Sequence, residues 1–184
     1  MLFQRLMEFV SFLSGSLLNG FFLLTILLLI GWVVLPKYKQ IINQLIVFSN
    51  TLLIAGAIVY LLTMLQQVLF QIKTNDEYEA YALVNRITGP YWWAYWGAPL
   101  FKGLLPQLLW VKRLRCSLIA SLALVPFLLV DYWLPLLYSS IHRDYLPSSW
   151  AIMQPNYYGL VIASIVYLIV FLLLFSVMQL IKNR

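Results

Sequence analysis

The chain has 184 residues, of which 63% are hydrophobic and 10% charged, with a net charge of +6; an ordinary soluble domain carries about 25% charged residues. One cysteine, Cys116, and one histidine, His142, exclude an internal disulfide, a four-thiolate iron–sulphur cluster, a Cys-rich zinc site and a haem held between two histidines of this chain. The basic residues fall in short clusters between apolar runs, where they read as membrane-topology signals rather than as a nucleic-acid face.

A bilayer core of about 30 Å needs roughly 20 apolar helical residues, because lipid offers an open backbone no hydrogen-bond partners. Five stretches meet this rule, which predicts an all-α integral membrane protein of one domain, with spans at about 11–35, 45–70, 91–111, 117–141 and 157–181. The first lies in a charge-free run from Phe9 to Pro36. It is too long for a secretory signal core and lacks a small-residue cleavage site, so it is expected to be retained. The second lies in the charge-free run Gln40 to Ile72, longer than one crossing needs. The third contains Gly97, Pro99, Gly103 and Pro106, each of which weakens a helical ladder, with Lys102 near its middle. The fourth carries Pro126, Asp131 and Pro135, and the fifth carries no charge up to Ile181. Most tryptophans, among them Trp92, Trp93, Trp110 and Trp150, lie near predicted span ends, where amphipathic rings settle. No linker, low-complexity tract or internal repeat stands out.

Lysines and arginines set the expected orientation. The first and third connections and the C-terminus hold seven cations (Lys37, Lys39, Lys112, Arg113, Arg115, Lys182, Arg184), and the other side holds four (Arg5, Lys73, Arg86, Arg143) with five of the six acids. The N-terminus is therefore predicted outside and the C-terminus in the cytoplasm.

Two ionisable residues fall at membrane depth, Lys102 and Asp131, and each costs at least about 2.5 kcal/mol there unless paired or hydrated. Counted from the turn around Leu114, they lie 12 and 17 residues along consecutive helices, a mismatch of about 7–8 Å that a lysine stem partly covers. Such a pair could line a proton or quinone-headgroup path; its commoner uses are a structural ion pair or a subunit contact. Gln66, Gln67 and Gln107 are expected to bond broken backbone or neighbouring helices. His142 opens the loop HRDYLPSSW and has no companions for a metal site, which favours a loop histidine bonded to Asp144 or backbone. Asp76, Glu77 and Glu79 form an acidic cluster that is either solvated or meets a basic partner. No P-loop, GxSxG, HExxH or GxGxxG motif is present, and no paired-carboxylate motif lies within a span. The chain also lacks the inverted repeats of many transporters.

The stretch YEAYALVNRITGPYWWAYWGAPLFKGLLPQLLWVKRLR (Tyr78–Arg115), followed by SSIHRDYLPSSW (Ser139–Trp150), resembles the second half of the polysulphide-reductase-type, or NrfD-like, membrane subunits. It is most similar to the quinol-oxidising membrane subunit of bacterial alternative complex III, whose penultimate helices show a similar GxYWWAYW start, PQ pair, aromatic-basic exit and HRDxLPSSW loop. The resemblance covers about Tyr78 to Lys182 and is weak over the first two spans. Full-length family members have eight to ten spans, and the quinol-contacting histidine and aspartate of that branch lie in an N-terminal four-helix bundle. This chain is expected to begin after that bundle, so the resemblance transfers no quinol-site residue. Lys102 falls where the family usually has an uncharged residue, and Asp131 lies in a span where relatives tend to carry an acidic and basic pair.

The resemblance thus implies an integral accessory or scaffold subunit of a quinone-linked respiratory electron-transfer complex in the bacterial inner membrane, with no self-contained active site. It implies that quinone, haem c and iron–sulphur clusters belong to partners: a larger NrfD-like subunit, an iron–sulphur subunit and cytochrome c subunits. In this reading Lys102 and Asp131 are a buried polar pair, structural or on a proton path, and His142, Arg143 and Asp144 form a subunit-contact loop. Two alternatives remain at this point: that the chain completes a quinol site or proton path with its partners, or that it is an unrelated small transporter.

Overall fold

In the computed structural model, which describes residues 2–73, 77–89, 92–141 and 157–182, the charge-free runs become long helices. Helix α1 spans Leu2–Val34, a short 3-10 turn at Pro36–Tyr38 reverses the chain, and α2 spans Lys39–Lys73. Pro36 starts that turn where a proline costs nothing, since the first N–H of a helix has no partner. The two helices lie antiparallel, with Leu17 against Gly56 and Ile42 against Gly31. Amphipathic α3 (Glu77–Thr88) and short α4 (Trp92–Ala98) follow. Next come a π-helical stretch at Pro99–Leu104, a 3-10 stretch at Leu105–Trp110 and a single turn, α5 (Lys112–Arg115). Helices α6 (Leu118–Leu128), α7 (Val130–Ile141) and α8 (Tyr157–Lys182) complete the described residues, among which no strand occurs.

Three helices, within Arg5–Val34, Pro36–Lys73 and Tyr157–Ile181, are long and apolar enough to cross a membrane. The sequence also leads one to expect crossings at 91–111 and 117–141. There the chain is helical but divided: the first region is three short helical pieces, and the second is split at Leu129.

Lipid tails are as apolar as leucine, so helices in a bilayer associate through close packing and hydrogen bonds rather than through the hydrophobic effect. The α1–α8 contact follows that rule. Ser14, Ser16, Ala163 and Ser164 are buried, and a Cβ placed on Gly20 would sit 2.5 Å from the Ala163 carbonyl oxygen and from Cβ of Tyr167. Only glycine allows this approach. Phe21 meets Tyr167 edge to face with ring centroids 6.3 Å apart, and the fully buried Tyr167 hydroxyl bonds Ser49 Oγ of α2 at 2.7 Å. One polar contact thereby ties α8 to α2.

The 92–141 segment, a broken hairpin, packs on the other side. It is fastened to α2 by Asn50, whose Nδ2 donates to the Arg115 carbonyl at 2.8 Å and whose Oδ1 accepts from Ser121 Oγ at 3.0 Å. Asn50 lies 11 residues beyond the start of α2, which is about 16 Å of helix. Its neighbour Ser49 meets α8 at Tyr167, 15 residues before the end of that helix. The cationic turn Lys112–Arg115 therefore sits well up the α1–α2 pair, beside the middle of α8, and not level with Lys37 and Lys39.

Candidate functional site

Pro99 and Pro106 place two missing N–H donors within one segment, so a regular ladder cannot run through it. The backbone compensates by widening and then tightening. The Leu105 N–H reaches back five residues to the Leu100 carbonyl, and the chain then closes into the 3-10 stretch. Gln107 repairs part of the break: its Nε2 donates to the Gly103 carbonyl at 3.0 Å, and its Oε1 accepts from Trp110 Nε1 at 2.9 Å. On the opposite arm Pro126 lies inside α6, and its carbonyl accepts from Trp133 Nε1 at 2.7 Å.

These breaks position the charged residues. A 3-10 helix rises about 2.0 Å per residue against 1.5 Å for an α-helix, so six such residues carry Lys102 about 3 Å further from the turn than a straight helix would. Gly103 presses on Leu61 so closely that a Cβ would overlap it, which seats this arm deep against α2. Lys102 Nζ then reaches across the hairpin and donates to the Asp131 carboxylate.

The two members of the pair have unlike surroundings. The Lys102 side chain is 3% exposed, whereas that of Asp131 is 52% exposed. The cation is committed to its partner, and the anion keeps one flank open on the protein surface. Tyr60 of α2 and Tyr132 of α7 lie within electrostatic range of Asp131, and Tyr95 lies near Tyr60. Tyr132 stacks on Tyr157 at the start of α8, with centroids 6.4 Å apart. Two phenols, of Tyr60 and Tyr132, thus lie within electrostatic range of the carboxylate. Aromatic residues in an apolar span look like packing from the sequence; Tyr132 adjoins Asp131 in the chain, and only the fold brings Tyr60 to it.

Two hollows flank this region. An apolar groove of about 750 Å³ is lined by Trp92, Trp93, Trp96, Phe101, Trp133 and residues of α2. A second hollow of about 500 Å³, between the start of α1 and the end of α2, gathers Glu8, Ser11, Thr63, Gln66 and Gln67. The structure thus places Gln66 and Gln67 in a polar cleft rather than beside the Lys102–Asp131 pair. His142, Arg143 and Asp144, named from the sequence as a contact loop, lie outside the described residues, as does Asp76. Among the described residues no three His, Cys, Asp or Glu side chains come together in a group that could hold a metal. Cys116 is exposed and carries a free thiol.

Chemically, the arrangement offers one fixed cation and one carboxylate that can still accept a hydrogen bond or a proton. No protein-family model matches the chain, and no curated protein was found to match it.

Proposed function

We propose that the chain is an integral accessory or scaffold subunit of a quinone-linked respiratory electron-transfer complex of the alternative complex III kind. It crosses the bacterial inner membrane five times, with its N-terminus outside and its C-terminus in the cytoplasm. It carries no redox cofactor of its own. Its partners are a larger NrfD-like membrane subunit, an iron–sulphur subunit and cytochrome c subunits, which hold quinone, haem c and iron–sulphur clusters. The reading rests on the resemblance over Tyr78–Arg115 and Ser139–Trp150 and on one structural observation, the open flank of Asp131. A carboxylate half-exposed at membrane depth is expensive against lipid and inexpensive against a donor from a neighbouring subunit.

Purification from mild detergent tests this. The expected result is co-purification with haem- and iron–sulphur-bearing respiratory subunits, with their optical signals, and none from the chain isolated alone. A stoichiometric haem signal from the isolated chain, or co-purification with no respiratory subunit, overturns the reading.

The setting of Asp131 among Tyr60 and Tyr132 favours one second reading, in which the pair takes part in a proton path completed by a partner. Under that reading Asp131→Asn slows turnover of the assembled complex. The scaffold reading instead has Asp131→Asn reduce assembly, with turnover per remaining complex near normal.

A further inference from the structure

Close contacts at two glycines fix the register of α1 on α2. Leu17 meets Gly56 and Ile42 meets Gly31, so in this antiparallel pair Met7 and Glu8 stand level with Gln66 and Leu65. Glu8 and Ser11 share one face of α1, and Thr63, Gln66, Gln67 and Phe70 share one face of α2, by the three- and four-residue spacing that brings helical neighbours together. These two faces line the hollow of about 500 Å³. Its lining is lopsided in charge: it holds the Glu8 carboxylate together with amides and hydroxyls, and no cation. Among the described residues Glu8 makes no ion pair, although Arg5 lies three residues before it, and the side chains of Gln66 and Gln67 make no hydrogen bond. The Thr63 hydroxyl donates to the Tyr60 carbonyl at 2.8 Å, which commits its proton and leaves its oxygen able to accept.

We propose that this cleft binds a primary ammonium group, with Glu8 as its counter-ion and Ser11, Gln66 and Gln67 as uncharged acceptors. An ammonium carries three donors and no acceptor, which matches a lining of oxygen acceptors around one anion, and hydrogen bonds to a carboxylate are the stronger, charge-assisted kind. Phe70, also in the lining, adds an aromatic ring, a favourable neighbour for a cation. A divalent metal fits less well: among the described residues no three His, Cys, Asp or Glu side chains gather, and the hollow is far larger than a bare ion fills. Its volume lies within the range of sites that take small organic molecules, whereas a protein partner needs a surface of about 800 Å². The ammonium can belong to the headgroup of an amine-bearing lipid or to a soluble amine. The exposed Phe9, Phe12 and Leu62 give a lipid's acyl chains apolar surface on the same two helices. The proposal does not depend on the respiratory assignment.

The test uses the full chain in an amine-free detergent. Retention of phosphatidylethanolamine, phosphatidylcholine and phosphatidylglycerol is counted by native mass spectrometry, and binding of ethanolamine and of a poly-lysine peptide is followed by titration calorimetry. The expected result is saturable binding of at least one primary amine, weakened about ten-fold or more in Glu8→Gln and about five-fold in Gln66→Leu. Both positions are exposed, so the variants should keep the helical circular dichroism of the parent; should one lose it, the other carries the test. Retention of phosphatidylethanolamine with no response to ethanolamine assigns the ammonium to a lipid headgroup, and ethanolamine binding without lipid preference assigns it to a soluble amine; either sustains the site. Binding unchanged in Glu8→Gln overturns it, as does equal retention of all three lipids with no response to ethanolamine. Phosphatidylcholine held as tightly as phosphatidylethanolamine overturns recognition through three donors, and poly-lysine bound more tightly than either small amine overturns the small-ligand reading. None of these outcomes bears on co-purification with respiratory subunits, so failure here and failure of the proposed function are separable.

Discussion

Helix α8 runs for 26 residues without a proline and seats itself on α1 through Gly20, Ala163 and Ser164. On the other side of the α1–α2 pair, the 92–141 hairpin is broken by Pro99, Pro106 and Pro126, and it holds a buried lysine. The first flank packs by removing side chains so that backbones approach. The second gives up backbone regularity and makes good the loss with side-chain amides, indoles and one ion pair. A glycine contact tolerates almost no added volume but has no chemistry. An irregular segment with a charge inside is costly to hold, and that cost is tolerated only where neighbouring protein surrounds it. The contrast locates chemical potential in the hairpin and mechanical support in α1, α2 and α8.

The sharpest way to break this contrast is Asp131→Leu, which strands the Lys102 ammonium. Stripping the partner from a fully buried pair costs about 3–5 kcal/mol, and the 52% exposure of Asp131 brings this pair to the lower end of that range, so the variant should unfold at clearly lower temperature in detergent. The double variant Lys102→Met with Asp131→Leu should recover most of the loss; a double variant as unstable as the single would show that the pair does more than neutralise itself. Next in size is Gly20→Leu. Overpacking costs about 3 kcal/mol at its upper end, and the loss should appear as faster hydrogen exchange in α8, with the hairpin amides unaffected. Asn50→Ala removes the bonds to the Arg115 carbonyl and Ser121, an expected loss of about 1–2 kcal/mol. Its signature is the reverse: faster exchange around the α5 turn, with α8 still protected. The smallest effect is expected from Tyr167→Phe, which gives up the Ser49 bond while keeping the ring packing. Hydrogen bonds between membrane helices average about 0.6 kcal/mol, and a midpoint shift of a degree or two in thermal unfolding would match.

The long helices could be read directly, because charge-free runs such as Phe9–Pro36 admit few other structures in lipid. The proximity of Lys102 and Asp131 was legible as well, since counting from the Leu114 turn leaves a gap that a lysine stem can nearly close. The means of closing it was not: prolines announce a break without saying whether the chain will widen or tighten, and here it does both in turn. The meeting of Asn50 with Arg115, and of Ser49 with Tyr167, joins positions 65 and 118 residues apart. No local pattern encodes such a pairing, although a polar doublet within the apolar run of α2 is a signal that something must satisfy it. The approach of Tyr60 to Asp131 was hidden for the same reason, since it comes from α2, 71 residues away, whereas Tyr132 simply follows Asp131 in the chain.

The stagger between the two flanks has a geometric consequence. The hairpin ends at Asn50, while α8 continues beyond that level for 15 residues, or about 22 Å. If the flanks stand about two interaxial distances apart, roughly 20 Å, no bilayer perpendicular to α2 can enclose both apolar bands. Leaning the α1–α2 axis by on the order of 40° from the membrane normal, at the steep end of what single helices show, brings the ends of both flanks to one surface. The same lean lets about 26 of the 35 residues of α2 lie in a core that about 20 would cross upright. The protein then acts as an oblique strut, shallow at one corner and deep at the opposite one.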